Sequence, residues 1–127
     1  MPDAQLQQAE TIANDDGLST VFAVFADEEE AKRVARMAVE DRLCACANVL
    51  SAATSYFRWQ GKITEAVEWP VLFKTRATLN ARLIARIKAM HSYEVPVVVA
   101  WPVSETLQSY AAFVDLETLQ TEENSPR

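Results

Sequence analysis

Residues 44–76 decide the fold, and they read CACANVLSAATSYFRWQGKITEAVEWPVLFKTR. Small, β-branched and aromatic residues dominate residues 44–60 and again residues 63–76, which is typical of β-strands. Gly61 lies between the two runs, and glycine accepts the positive φ that a tight hairpin turn requires. The stretch therefore predicts two long antiparallel strands joined by one turn.

The length of this hairpin predicts self-association. A strand of about fifteen residues spans roughly 50 Å, whereas a compact domain of this size is only about 36 Å across. The projecting ribbon would expose strand edges and the aromatic side chains of Tyr56, Phe57 and Trp59. Its simplest stable arrangement is contact with further copies of the chain.

The composition limits the class of protein. The chain has 127 residues, of which 50% are hydrophobic, so one domain with a real core is expected. The net charge of −6 disfavours nucleic acid and anionic membranes as partners, because both attract basic surfaces. No apolar run suits a spanning helix or a secretory signal, and Cys44 and Cys46 do not form a disulfide framework. A cytoplasmic location is the resulting expectation.

The remaining segments place the hairpin within a fold. Residues 1–18 predict a mobile tail, residues 19–26 a central strand, and Asp27 the cap of a helix, with Glu30 completing a capping box. A second helix (77–90), a strand (97–101) and a third helix from Ser104 follow, and residues 120–127 predict a flexible tail. The order β-α-β-β-α-β plus a C-terminal helix predicts a single α+β, ferredoxin-like domain over residues 19–119. Its sheet should be antiparallel with the two helices on one face.

Pro70 conflicts with the second strand of the hairpin. Proline cannot donate a hydrogen bond to the ladder and is confined to edges or bulges. We therefore expect this strand to be bulged or interrupted near Trp69 and Pro70.

Five short motifs follow one another along the chain: DEEEAKRVA (27–35), LCACANV (43–49), YFRWQGK (56–62), FKT (73–75) and HSYEVP (91–96). In order and spacing they resemble the CutA divalent-cation tolerance proteins, over about residues 19–116. The resemblance implies a ferredoxin-like subunit, a homotrimer built through long hairpins, and a connection with copper and other divalent metal ions. No cofactor is expected to be required, although copper or another divalent metal ion could be bound, and the resemblance does not define a biochemical activity.

The sequence departs from the family pattern at three positions near the implied metal site. Ser92 stands where the family usually has proline, Val97 where an acid often follows, and Ala23 where some members carry a ligand cysteine. Metal binding is therefore expected to be weaker and less selective than in members with a fuller ligand set.

The candidate metal ligands are His91, Glu94 and Cys46, converging across a subunit boundary. Neutral imidazole suits copper or zinc, and thiolates select soft metals. Cys44 and Cys46 have the i, i+2 spacing that directs both side chains to one face of a strand. The alternatives are that the cysteines fill the core and that His91 interacts with the carbonyls at a helix end.

A second candidate site is an intersubunit cleft formed by Arg58, Trp59, Lys74 and Tyr93. These residues could equally form interface contacts. Such a cleft keeps a second hypothesis open, a small-molecule sensor like the nitrogen-regulatory PII trimers, which share this architecture. An enzyme is disfavoured, because the sequence has no phosphate loop, no dinucleotide fingerprint and no evident base–nucleophile pair.

Overall fold

The computed structural model describes residues 11–13 and 17–120. Its strands are β1 (Thr11–Ala13), β2 (Leu18–Phe25), β3 (Cys46–Val49), β4 (Ala53–Trp59), β5 (Lys62–Arg76), β6 (Val98–Pro102) and β7 (Glu105–Leu107). Its helices are α1 (Glu28–Glu40), α2 (Asn80–Met90), preceded by a 3-10 turn (Ala77–Leu79), and α3 (Gln108–Glu117). Within these residues no helix has both the length and the apolar character needed to span a bilayer.

The sheet has the predicted ferredoxin-like topology. Its strands follow the order β3-β5-β2-β6, and every pair is antiparallel. The strand β4 follows β3 in the chain and pairs with the preceding part of β5, so β3 and β4 together form one arm of the hairpin. Alternate side chains of β2 (Val21, Ala23 and Phe25) are fully buried in one core with Val34 of α1 and Leu83 of α2. The two helices therefore cover one face of the sheet, as the sequence predicts.

The opposite face, which we call the open face, carries the other side chains of β2. Phe22 and Val24 lie there half-buried, together with Leu72 of β5. The last helix, α3, packs at one end of this face, where Val114 is buried against Leu18. The middle of the open face is thus apolar, with no helix of residues 17–120 placed over its centre.

The strand β5 runs without a break through Pro70, so the predicted interruption of this strand is wrong. The irregularity lies in the partner arm, where residues 50–52 stand opposite only Trp69 and Pro70. The extra residue makes a β-bulge. The N–H of Leu50 donates to the carbonyl of Pro70 (2.8 Å), so the edge of Pro70 that lacks an N–H faces the bulge. The proline is accommodated where the ladder is already irregular.

A two-residue turn closes the hairpin between Trp59 and Lys62. Both turn residues have positive φ, 52° at Gln60 and 81° at Gly61. Two consecutive positive φ angles match the twist of the flanking strands, and glycine adopts this conformation without steric cost. The tight turn at Gly61 is confirmed, while the same conformation at Gln60 was not foreseen.

Two boundaries differ from the sequence-based expectation. Leu18 is buried in β2, and Thr11–Ala13 pair with Glu105–Leu107, so part of the predicted N-terminal tail is ordered strand. The third helix begins at Gln108 rather than at Ser104, because the residues before it form that strand. Residues 1–10 and 14–16 of the predicted N-terminal tail, and residues 121–127 of the C-terminal one, lie outside the described residues.

Candidate functional site

A cavity of about 760 Å³ opens where the hairpin leaves the sheet. Phe25 and Trp69 form the last pair between β2 and β5, so the rest of β5 projects with β4 beyond the sheet. The segment 91–97 connects α2 to β6 and contributes one wall. The cavity is lined by Phe22, Val24, Ser55, Tyr56, Phe57, Arg58, Trp59, Thr64, Glu68, Tyr93, Val95 and Val97.

His91 anchors the segment 91–97 from beneath this cavity. Its side chain is fully buried and stacks on Phe25, with ring centroids 4.6 Å apart. The N–H of Tyr93 donates to Nδ1 (3.0 Å), so Nδ1 is the acceptor nitrogen. The other nitrogen, Nε2, therefore carries the proton and donates to the carbonyl of Val24 (2.7 Å). Both ring nitrogens are engaged, and His91 acts as a positioning residue within the chain.

Glu30 supports the same segment from the start of α1. Its buried carboxylate accepts a hydrogen bond from the N–H of Ser92 (2.8 Å) and lies 3.8 Å from Nδ1 of His91. The predicted capping box is therefore only half formed. Asp27 caps the helix by accepting a hydrogen bond from the N–H of Glu30 (2.9 Å). The Glu30 side chain binds the N–H of Ser92 and not the N–H of Asp27. The start of α1 is thus coupled to the cavity wall.

Glu68 and Tyr93 meet at the base of the cavity. The hydroxyl of Tyr93 donates to Oε2 of Glu68 at 2.8 Å. Burial raises the pKa of Tyr93 to about 12, and the hydrogen bond to Glu68 and the charges of Glu68 and Glu30 act in the same direction. Tyr93 therefore stays neutral and acts as the donor in this hydrogen bond.

The two cysteines point in different directions, so the expectation that they share a face is wrong. Cys44 precedes the strand and is buried in the core beneath α1, where burial and then the charge of Cys46 raise its pKa to about 12. Cys46 lies opposite Lys74, with Sγ 3.4 Å from the hydroxyl of Tyr110 on α3. The i, i+2 rule fails here because the extended strand begins only at Cys46.

The candidate metal ligands do not converge within the chain. His91 stacks on Phe25, which pairs with Trp69 at the end of the sheet. Cys46 instead pairs with Lys74, five positions further along β5 than Trp69. Five residues of strand span about 17 Å. Glu94 is exposed, and no group of three or more His, Cys, Asp or Glu side chains within residues 11–13 and 17–120 is placed to hold a metal ion.

Three of the four predicted cleft residues lie at the cavity. Arg58, Trp59 and Tyr93 do line the cavity, but Lys74 lies towards the other end of the sheet and donates to Oδ1 of Asn48. Their placement between subunits remains a prediction. Sequence reasoning missed Glu68, although one signal was available: an acid between two apolar residues of a long strand.

The sequence of this domain matches a known protein family. A family profile described as "CutA1 divalent ion tolerance protein" matches residues 19–117. The chain belongs to the CutA1 family. The divalent-cation tolerance protein CutA of Thermus thermophilus is 40% identical over 90 residues, which cover 71% of this chain and 87% of that protein. This confirms the family that the five motifs indicate.

A mammalian member of the CutA1 family and a solved structure extend the comparison. Protein CutA of Mus musculus is 37% identical over 97 residues, 76% of this chain but 55% of that protein, so the chain spans about half of that relative. The solved structure of the divalent cation tolerance protein from Thermus thermophilus superposes with a TM-score of 0.78 at 36% identity. The superposition covers 80% of this chain and 99% of that structure. The ferredoxin-like fold is therefore shared with solved members of the family.

Proposed function

We propose that this protein acts in divalent-cation tolerance, copper included, as a cytoplasmic homotrimer that serves as a scaffold rather than as an enzyme. Membership of the CutA1 family supports the involvement of divalent cations. The cytoplasm would keep the free thiols of Cys44 and Cys46 reduced, and cell fractionation tests this location.

The observation that carries the proposal is the exposed apolar surface of the hairpin. Residues 62–68 of β5 project beyond the last pair with β2, a length of about 23 Å. On this ribbon Tyr56 and Ile63 are 68% and 69% exposed, and Val67 is also exposed. These large apolar side chains are exposed on one face of the hairpin beside Arg58 and Glu65, and such exposure marks an interaction surface.

A second apolar surface lies at the opposite edge of the sheet. The edge strand β6 and the residue before it expose Val97, Val99 and Trp101. The hairpin and this edge are different surfaces, so a contact between them in two copies is head-to-tail. A head-to-tail contact forms a ring when the rotation between neighbouring copies closes, and the trimer is the smallest such ring with more than two members.

The trimer is tested by light scattering in the presence of a chelator, because apolar burial needs no metal ion. Three times the chain mass of 14.2 kDa is expected for the native protein. Ile63→Asp damages the hairpin and Trp101→Asp damages the β6 edge, so each variant alone should be monomeric. Val39→Asp, an exposed apolar residue on α1, is the matched control and should remain trimeric.

Mixing the two damaged variants separates a ring from a symmetric contact. The intact hairpin of Trp101→Asp can still bind the intact edge of Ile63→Asp, so the mixture should give a species of about twice the chain mass. A native protein at the single-chain mass, or a mixture that stays monomeric, contradicts the assembly proposed here.

The scaffold role rests on the positions of the candidate ligands. Both nitrogens of His91 are hydrogen-bonded, and Cys46 lies well apart from it beside Tyr110. Calorimetric titration with a copper salt near pH 7.5 should therefore give the same uptake for the native protein, His91→Ala and Cys46→Ser. Loss of stoichiometric uptake in either variant would instead show that the trimer binds the metal ion through these residues.

The cavity favours a second candidate function, a sensor of small molecules. Its volume of about 760 Å³ lies within the range of ligand pockets in proteins, and its walls are mostly apolar with a few polar groups. Binding of a nucleotide in calorimetry, as for a PII-like trimer, would favour the sensor over the scaffold.

A further inference from the structure

The cavity wall contains a buried carboxyl group that is only partly satisfied within the chain. Glu68 is 5% exposed, and its Oε2 accepts a hydrogen bond from the hydroxyl of Tyr93. Within residues 17–120, no arginine, lysine or histidine side chain forms an ion pair with it. Buried carboxylates are normally paired with a cation or held by several donors. A second molecule could therefore supply the partner that Glu68 lacks.

The projecting hairpin carries an arginine that also lacks a partner. Arg58 is exposed, and within the described residues its guanidinium makes no hydrogen bond and no ion pair. It pairs with Ile63, and strand alternation places it on the same face of the hairpin as Tyr56 and Val67. This is the exposed face that is proposed above to contact a neighbouring copy. Arg58 would therefore enter the contact between copies together with these apolar side chains.

Arg58 and Glu68 border the same cavity, but they cannot meet within one chain. Ile63, the partner of Arg58, lies five positions before Glu68 on β5, which corresponds to about 17 Å. Positions separated by an odd number of residues also direct their side chains to opposite faces of a strand. An ion pair between these two residues is therefore possible only between copies.

The surface that would receive the hairpin lies beside Glu68. Continuing the register of β2 and β6 by one position places Val97 opposite Val24, and Val24 pairs with Pro70. Pro70 is two positions from Glu68 on the same strand, so both side chains face the open side of the sheet. Two strand spacings, about 10 Å, separate Val97 from β5. A two-stranded hairpin covers a similar width, so a copy docked over Val97 also reaches the vicinity of Glu68.

We propose that Arg58 of one copy forms an ion pair with Glu68 of the next copy and so completes the site at which Glu68 meets Tyr93. Because the pair forms between copies, it depends on the head-to-tail assembly proposed above. A guanidinium is a planar fork of donors that can bond both oxygens of one carboxyl group. Apolar burial would supply most of the affinity, whereas this pair would fix the register of the hairpin on its neighbour.

The experiment follows dissociation of the native trimer by light scattering along a dilution series. A fixed urea concentration is chosen at which the native trimer dissociates within the series, so that losses and gains are both measurable. Arg58→Gln and Glu68→Gln should each raise the midpoint concentration at least about tenfold, since each leaves one charged group unpaired. Lys62→Gln removes the same charge from the same hairpin. Lys62 pairs with Trp59 on the other face, so its midpoint should not change.

Combined substitutions test the pairing itself. The chain with both glutamine substitutions should dissociate no more readily than the more affected single variant, because each substitution removes the same pair. Arg58→Glu alone should dissociate more readily than Arg58→Gln, since it brings two acids together. Adding Glu68→Arg to Arg58→Glu should lower the midpoint again at least about tenfold, because opposite charges meet once more between copies.

Two sets of results separate this pair from the assembly on which it depends. A native trimer whose midpoint is unchanged in Arg58→Gln, or equally raised in Lys62→Gln, overturns the pair and leaves the assembly intact. Simply additive effects of the two glutamine substitutions do the same. A native protein at the single-chain mass instead refutes the head-to-tail assembly itself.

Discussion

Replacing His91 measures the polar contacts that hold the cavity wall. In His91→Ala the carbonyl of Val24 and the N–H of Tyr93 lose their partners, and the ring no longer stacks on Phe25. Each lost hydrogen bond costs about 1–1.5 kcal/mol and the lost stacking about 1 kcal/mol. We therefore expect the free energy of unfolding to fall by about 3–4 kcal/mol.

Two amide variants separate the two hydrogen bonds. His91→Gln retains a donor near Nε2 for Val24, and His91→Asn retains an acceptor near Nδ1 for Tyr93. Each should regain about 1 kcal/mol relative to alanine. Urea unfolding at one fixed protein concentration is the assay, because self-association adds to apparent stability. A loss below about 1 kcal/mol in His91→Ala, or no gain in either amide variant, would refute the reasoning.

Three further changes have defined outcomes in the same urea assay. Asp27→Ala removes the cap of α1 and should cost about 1 kcal/mol; an unchanged midpoint contradicts the role of the cap. Gln60→Asn should stabilise by a few tenths of a kcal/mol, because asparagine tolerates the positive φ better, and a lower midpoint argues against this. The raised pKa of Cys44 favours the neutral thiol in the folded state, so stability present below pH 9 should decline towards pH 12. Cys44→Ala should flatten that decline, and an unchanged slope would exclude the thiol as a cause.

The sequence alone predicts most of the fold because the decisive signals are local. The composition of the hairpin arms, the single glycine between them and the Asp27 cap each act over a few residues. The bulge opposite Pro70 could not be assigned to its strand in this way. Proline indicates that the ladder is irregular, but which arm carries the extra residue depends on how the partner is paired.

The candidate site was less accessible to sequence reasoning because its contacts are long-range. His91 bonds to Val24, 67 positions earlier, and Tyr93 meets Glu68 across 25 positions. The side-chain chemistry of His91 suits a metal ligand, but its partners make it a positioning residue. Only the path of the segment 91–97 around the end of the sheet brings these groups together.

The bulge also governs which insertions and deletions the hairpin can tolerate. Before it, even-numbered residues such as Asn48 face the open side; after it, odd-numbered Phe57 and Trp59 do. Deleting one residue from 50–52 would remove the bulge and leave β4 paired with the same residues of β5, so Phe57 and Trp59 would still face the open side. The regular ladder would then place the carbonyl of Leu50 opposite the nitrogen of Pro70, which has no hydrogen to donate. In related sequences, the extra residue in this arm should therefore accompany a proline at the position of Pro70.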